Sequence, residues 1–385
     1  MRLAILGGAL LLLGALALAT GILPVDEALG VGERVWPILL FAVAVTIVAE
    51  LAAEAGVFAA IAEQLAKWGL RRGWMLWLLV VLLAIASTVF LSLDTTAVLL
   101  TPVVVLLARH NGLSPLPFAL TTVWLANTGS LLLPVSNLTN LLAEHALGFS
   151  DPARFAALLA LPALVAVVIP CLVIALIFRR DLAQRYEPAA ASPVEDRPLL
   201  VISAIVLVAL LPLLVSGLPV WIPASAAAVV LLVVFAVRRR GALHFSLVPW
   251  QLVLFASGLF LVVQAGHSLG LAELLVNVAG SGSGASDLVR LAFTGMVGAN
   301  AVDNLPAYLA LEPVTGSPAR IAALLIGVNA GPLITPWASL ATLLWHQRLT
   351  KLDVEIRWSR YMLLGIAVAP VTVLAATLAL ALNVG

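Results

Sequence analysis

The sequence predicts an all-α integral membrane protein made of two inverted structural repeats, each with a re-entrant hairpin and a broken transmembrane helix. Three observations carry that expectation. The 385 residues are 63% hydrophobic and only 10% charged, where soluble chains run near about a quarter charged. Apolar runs of bilayer-spanning length, about 20 residues, recur along the whole chain, and the mean hydropathy is +1.15. Polar clusters interrupt four of those runs, and both halves carry their clusters in the same order. Too little polar surface is left for a soluble enzyme, a nucleic-acid reader or a secreted disulfide scaffold. The net charge of +1 identifies no partner. The single cysteine, Cys171, lies inside an apolar run, which leaves no internal disulfide and no thiol metal cluster.

Taken in order, plain apolar helices read at about 3–23, 35–55, 153–178, 198–216, 219–237, 249–268 and 358–382. The first of these mimics a secretory signal, with Arg2, an apolar core and Ala17-Leu18-Ala19, but it leads into a multi-span pattern and reads as the first helix. Stretches 73–110 and 287–316 are interrupted at Ser92-Leu93-Asp94-Thr95-Thr96 and at Gly298-Ala299-Asn300-Ala301-Val302-Asp303-Asn304. Stretches 118–147 and 320–346 read as single spans broken at Asn127-Thr128-Gly129-Ser130 and at Asn329-Ala330-Gly331-Pro332. Such breaks are tolerated in mid-membrane only where protein or a watery cavity satisfies the freed backbone groups. That requirement points to a transporter.

Charge placement supports hairpins at 73–110 and 287–316. With both entering and leaving on one side, every Lys and Arg except Arg34, Arg154, Arg290 and Arg320 falls on a single face. The positive-inside rule then puts the amino terminus in the cytoplasm and the carboxyl terminus outside, as expected of a multi-pass protein of the cell's inner (plasma) membrane. Residues 1–178 form the first repeat, 179–197 a cytoplasmic linker with Pro188 and Pro193, and 198–385 the second repeat.

The internal match begins at Trp36-Pro37-Ile38-Leu39-Leu40-Phe41, which aligns with Trp250-Gln251-Leu252-Val253-Leu254-Phe255 and puts Gly56 opposite Gly270. Leu93-Asp94-Thr95 aligns with Val302-Asp303-Asn304, each followed by a Pro-Val pair. Asn127 to Pro134 aligns with Asn329 to Pro336, and Ser136 to Leu142 with Ala338 to Leu344. The first hairpin enters from the cytoplasm and the second from outside, so the repeats are inverted, the architecture of alternating-access secondary transporters. Helix 198–216 has no partner in the first half.

Half-helix starts offer free N–H groups and half-helix ends free C=O groups. Asn127, Ser136, Asn137, Thr139 and Asn140 of the first repeat, with Asn304, Asn329, Thr335, Ser339 and Thr342 of the second, are the candidate substrate-binding residues. Their amides and hydroxyls replace the water around a small polar solute, or else serve only as caps and interhelical bonds. Asp94 and Asp303 are the candidate proton-coupling residues. An ionisable group deep in a membrane element is a functional hypothesis by default, and burial disfavours a carboxyl's charged form, which suits a proton carrier. A purely structural carboxylate is the alternative. Glu50 and Glu54, one turn apart, line either an access path or a plain cytoplasmic vestibule, while Glu144 and Glu312 mark helix ends on the outer side. The five histidines share no metal-ligand spacing, Gly280 to Gly284 is an outer loop, and no P-loop is present. No metal, no cofactor and no enzymatic activity are expected.

The motifs Leu93-Asp94-Thr95-Thr96-Ala97-Val98-Leu99-Leu100-Thr101-Pro102, Ser130 to Asn140, Pro249 to Phe255, Gly331 to Pro336 and Ser339 to Trp345 resemble those of the arsenite/antimonite efflux permeases, the ArsB family of the ion-transporter superfamily. The resemblance spans nearly the whole chain. It implies export of arsenite and antimonite across the lipid bilayer, driven by the proton gradient or by a separate cytosolic ATPase, with no nucleic-acid partner. The superfamily also holds sodium/proton antiporters and sodium-coupled dicarboxylate carriers, and these are the alternative functions. Longer members carry one more amino-terminal helix, which would partner 198–216. Asp303 stands where the family would lead one to expect an Asn-Asn sequence. Arsenite at neutral pH is mainly a neutral trihydroxide, which suits a site of amides, hydroxyls and backbone ends without arginine.

Overall fold

A computed structural model describes residues 2–149, 151–188 and 195–384. Part of the linker therefore lies outside the described residues. The helices are α1 (Arg2–Ala19), α2 (Val25–Glu54), α3 (Val57–Trp68), α4 (Gly73–Leu91), α5 (Leu93–His110), α6 (Leu116–Thr128), α7 (Leu138–Leu147), α8 (Pro152–Ile177), α9 (Arg197–Leu214), α10 (Trp221–Arg238), α11 (Trp250–Ser268), α12 (Leu271–Ala279), α13 (Ala285–Ala301), α14 (Asn304–Leu311), α15 (Pro318–Ala330), α16 (Leu340–Lys351) and α17 (Trp358–Val384). Among the described residues, eight of these helices are long and apolar enough to cross a membrane, and α1 contributes a shorter apolar stretch at Ala4–Ala19. This is a multi-pass membrane protein.

Both interrupted stretches are helical hairpins, α4–α5 and α13–α14, and both broken spans are pairs of half-helices, α6–α7 and α15–α16. The two hairpins open at opposite ends of the molecule. Beside the open end of the first, Arg109 donates to the carbonyls of Leu352 and, at 3.0 Å, Asp353. This is the basic end, where Arg239 pairs with Glu54 and Arg238 grips Asp196 with two hydrogen bonds. Beside the open end of the second, Glu312 pairs with Arg34 near the far end of α2.

The cations at that opposite end hold loops in place. Arg320, 2% exposed, donates to the carbonyls of Thr315 at 2.7 Å and Gly282 at 2.6 Å. Arg290 donates to Val278 at 2.7 Å and Asn277 at 2.6 Å. Three of the four cations that depart from the single-face pattern are thus tied to oxygen acceptors. Each balances carbonyl or carboxylate groups that would otherwise be left without donors.

Two elements were not anticipated from the sequence. Helices α3 and α12 follow α2 and α11 and are strongly amphipathic, the pattern of a helix lying along an interface. Each starts after a left-handed glycine, Gly56 at φ +85° and Gly270 at φ +91°, which lets a spanning helix turn sharply and continue as a surface helix. Helix α2 also begins ten residues earlier than the hydrophobic run suggests, taking in Asp26, Glu27, Glu33 and Arg34 as polar turns at the opposite end. At 30 residues it extends about 45 Å, longer than the hydrocarbon core.

Helix α1 packs against α11 at close range through small residues. A Cβ at Gly258 would lie 2.6 Å from the Leu11 nitrogen, and one at Gly7 would lie 2.7 Å from the Phe255 nitrogen. Close backbone approach is how helices associate in lipid, where no hydrophobic force favours contact. Gly258→Val is expected to destabilise the protein by about 1–3 kcal/mol, read as a lowered melting temperature in detergent. An unchanged melting temperature would show that α1 is not pinned to α11.

Candidate functional site

The two broken spans meet inside the bundle, and one amide joins them. Asn329, fully buried near the end of α15, accepts at Oδ1 from Asn137 Nδ2 and from Thr139 Oγ1, both at 2.9 Å. Its Nδ2 donates to Asn140 Oδ1 at 2.7 Å. Asn140 Nδ2 in turn donates to the carbonyls of Ser130 at 2.6 Å and Leu133 at 3.0 Å, and the Ser136 hydroxyl reaches the same two carbonyls. The carbonyls freed where α6 stops are thereby satisfied. Asn127 stands apart from this network: its Nδ2 bonds the Val123 carbonyl of its own helix at 3.0 Å, and its Oδ1 is buried without a partner.

The second break is held differently, by a residue the sequence reading placed in the hairpin but not in the site. Asn300 Nδ2 donates to the carbonyls of Met296 at 2.8 Å and Gly331 at 2.9 Å. Its Oδ1 accepts from the backbone N–H of Ile334 at 3.2 Å and Thr335 at 3.0 Å. Its carbonyl receives the Thr335 hydroxyl at 2.8 Å and the Trp337 indole at 2.9 Å. A lone Asn four residues before the start of α14 gave no signal of this, because all its partners but Met296 lie around the second break.

At each hairpin tip one residue without Cβ freedom to spare sits in backbone space normally open only to glycine. Ser92 has φ 127°, ψ 162° and Asp303 has φ 149°, ψ 160°. Each caps the half-helix that follows: Ser92 Oγ accepts from Thr95 N at 3.3 Å and Asp303 Oδ1 from Leu305 N at 3.1 Å. This corrects the sequence alignment, which set Asp94 opposite Asp303. The structural counterpart of Asp303 is Ser92, a register that also places Pro102 opposite Pro313 without a gap. Asp94 lies two residues further on, within the first turn of α5, where Leu305 stands in the other repeat. Beyond it, α5 widens into a π-helical turn at Thr96–Leu100, just before Pro102, which has no N–H to give the ladder; such turns recur at functional sites.

Asp303 caps α14 by accepting the Leu305 N–H, and it lies near the Leu340 start of α16. Asp94 is close enough for the two carboxyl groups to interact. The N-cap position of α16 belongs to Ser339, which is 1% exposed and whose hydroxyl has no partner. Its counterpart Asn137 caps α7, accepting from Thr139 N at 3.3 Å. Asn304 is buried in the first turn of α14, and Thr342, one turn into α16, faces the Tyr361 phenol.

A cavity of about 830 Å³ leads to this cluster from the basic end. Ser246, Gln347 and Arg348 line its mouth, Glu50 and Gln251 its wall, and Thr46, Asp94, Thr95 and Leu340 its depth. The structure thus places Asp94 and the α16 start at Leu340 deep in an open vestibule and Glu50 at its side, while Ser339 and Asp303 lie just outside the lining. Asn137, Thr139, Asn140 and Asn329 stand behind as a closed network, with Thr335 on the Asn300 side. One arginine is among the described lining residues, away from the breaks where an arginine-free site is expected. Arg348 is eight residues beyond Leu340 on α16, roughly 12 Å toward the mouth at the helical rise. Among the described residues no cluster of metal-ligating side chains occurs.

Residues 2–342 match the citrate transporter family model. The arsenical pump membrane protein of Yersinia enterocolitica is 35% identical over 399 residues, covering 96% of this chain and 92% of its own. That of Escherichia coli K12 is 33% identical over 378 residues, covering 91% and 87%. The chain belongs to the ArsB-type permeases of the citrate transporter family. The fold of this permease is also that of a solved structure, the Alcanivorax borkumensis YdaH transporter, at a TM-score of 0.59 and 15% identity, covering 99% of this chain and 97% of that one. The permease is a transporter, and the first hairpin tip and the α16 half-helix start line the vestibule's deep end.

The network and the free hydroxyl separate under mutation. Asn329→Ala leaves three buried polar groups without their partner and is expected to cost about 2–4 kcal/mol of stability, seen as a lower melting temperature and less protein in the membrane. Ser339→Ala removes a group that bonds nothing, so stability should move by less than about 0.5 kcal/mol while transport falls. Equal destabilisation by both would place Ser339 in the scaffold.

Proposed function

We propose that this permease exports trivalent arsenic and antimony from the cytoplasm by alternating access, with Asp94 and Asp303 carrying the coupled proton. The observation behind the reading is the vestibule that runs from the basic end to Asp94 and the first residue of α16, with Asp303 capping the start of α14 nearby. Its deep end offers the Thr46 and Thr95 hydroxyls, the Asp94 carboxyl and the start of α16, and Arg348, the one lining arginine among the described residues, lies well toward the mouth. A neutral trihydroxide is matched by donors and acceptors of this kind without a fixed counter-charge. The relatives named as arsenical pumps, more than 30% identical over most of the chain, support arsenic as cargo.

In this reading the basic end faces the cytoplasm of a plasma (inner) membrane, the amino terminus lies inside, and the vestibule is the inward-open state. The two repeats exchange access by moving against one another around the midplane breaks. The reaction is a binding cycle, with no bond made or broken in the cargo beyond protonation equilibria. Protons moving inward drive the cargo outward. One elementary charge moving down 100 mV supplies about 2.3 kcal/mol, roughly a fifty-fold gradient.

Uptake of arsenite into everted membrane vesicles tests this directly. Asp94→Asn and Asp303→Asn proteins should reach the membrane at normal levels yet lose uphill uptake driven by a pH gradient. Uphill uptake at the wild-type rate by both single variants would remove the carboxylates from the mechanism. Uptake that survives a collapsed proton gradient and needs an added cytosolic ATPase would replace protons as the driver, and uptake of citrate in place of arsenite would replace the cargo.

Cys171 is expected to be a bystander. It lies in α8, away from the breaks and only partly buried, and a lone thiolate that captured trivalent arsenic would hold it too firmly to release. Cys171→Ser should therefore retain arsenite uptake. Its loss at normal protein levels would move the site away from the breaks.

A further inference from the structure

Three cavities stand in series along α2. The vestibule shares Thr46, Asp94 and Leu252 with a pocket of only about 30 Å³ beside Asn137, room for about one or two waters. That pocket shares Leu141 with a third cavity of about 410 Å³ at the opposite end, lined by Arg34, Glu144 and His145. Phe41 of α2 and Leu141 of α7, both largely buried, wall the narrow part. Immediately beyond them Arg34 donates to the Leu142 carbonyl of α7 at 3.2 Å and to the Glu312 carboxylate. The Tyr308 phenol, also buried, faces the same carboxylate. A single guanidinium therefore holds α2 against both α7 and the end of the second hairpin.

We propose that the solute leaves through a passage between α2 and α7, shut in this state by Phe41 and Leu141 and latched by Arg34 on Glu312 and the Leu142 carbonyl. The passage deepens the transport reading and rests on alternating access, though not on the identity of the cargo. Both ends of α2 carry an ion pair, Arg34–Glu312 and Glu54–Arg239, but only the Arg34 end is tied to the helix that walls the narrow pocket. At the opposite end the helix is tied by a half-buried ion pair. At the basic end Glu50, about 24 Å from Arg34 along the axis of α2, and Arg348 of α16 both line the open vestibule. Among the described residues the ion pairs within 4 Å do not include those two. Separating α2 from α7 breaks both Arg34 contacts together and joins the narrow pocket to the outer cavity, so the latch weights the equilibrium between states.

Thiol labelling reads the gate without any substrate. In a Cys171→Ser background, Leu141→Cys in sealed right-side-out vesicles should react slowly with a membrane-impermeant maleimide. Adding Arg34→Gln should speed that reaction about tenfold, the change equivalent to about 1.4 kcal/mol on the opening equilibrium. Glu312→Gln should act in the same direction, and the exchange Arg34→Glu with Glu312→Arg should restore slow labelling. Val98→Cys, lining the vestibule, should react only from the basic side in the latched protein. Labelling at Leu141→Cys that neither latch variant changes, or that occurs only from the basic side in all variants, overturns the passage. Failure of arsenite uptake with the labelling pattern intact would instead fault the choice of cargo.

Discussion

Backbone that stops being helical in the middle of a bilayer must find its hydrogen bonds within the protein, and this fold depends on that constraint. An unpaired N–H or C=O in hydrocarbon costs several kcal/mol. Asn329 resolves it for the first break by occupying three side chains of the other repeat with one amide. Asn140 passes the connection on to the stranded carbonyls of Ser130 and Leu133. Asn300 does the same work for the second break from its own hairpin. The two repeats thus meet through side chains whose geometry is fixed on both sides, and a network with every member satisfied specifies one arrangement far better than apolar packing would. The breaks become rigid points about which the remaining helices can shift.

The same constraint explains why so few polar groups are left for a solute. Of the amides and hydroxyls expected to bind, those at Ser136, Asn137, Thr139, Asn140, Asn329 and Thr335 already serve other protein groups. Of the candidates, Asp94 lines the vestibule, and the Ser339 hydroxyl just outside the lining is left without a partner. Both hairpin tips also store strain, in Ser92 and Asp303, of order 1–3 kcal/mol each. Both are non-glycine residues held in backbone space that glycine ordinarily fills. They aim the cap and the following half-helix at the meeting point of the breaks.

The sequence made the class, the spans, both hairpins and both broken helices legible, because each depends on local hydrophobicity and on Gly, Pro or amide residues at the interruptions. The equivalence of Asn137 and Ser339 as half-helix caps was legible too, since Pro134 and Pro336 anchor the register on either side. The hairpin register was not. Matching the carboxylates set Asp94 against Asp303, whereas backbone conformation pairs Asp303 with Ser92, and a cap's side-chain chemistry can differ while its geometry is kept. Helices α3 and α12 escaped notice because their amphipathic pattern resembles a polar loop when only spans are sought. The role of Asn300 was invisible, for its partners lie more than thirty residues away.

The distribution of arginine follows from the same physics and bears on what the vestibule can hold. Arg34, Arg290 and Arg320 are consumed by carbonyls and by Glu312 at one end, and Arg348 stands near the mouth at the other. The meeting point of the breaks therefore carries carboxyl groups with no guanidinium beside them. A multiply charged anion brought there would face Asp94 and Asp303 without compensation, a like-charge arrangement that low-dielectric surroundings make costly. In the proposed cycle a neutral hydroxide avoids that cost. It exchanges water for a few hydroxyl, carboxyl and N–H contacts, few enough that binding stays weak and release on the far side remains fast. The amides that would have bound it tightly are committed to holding the helices apart.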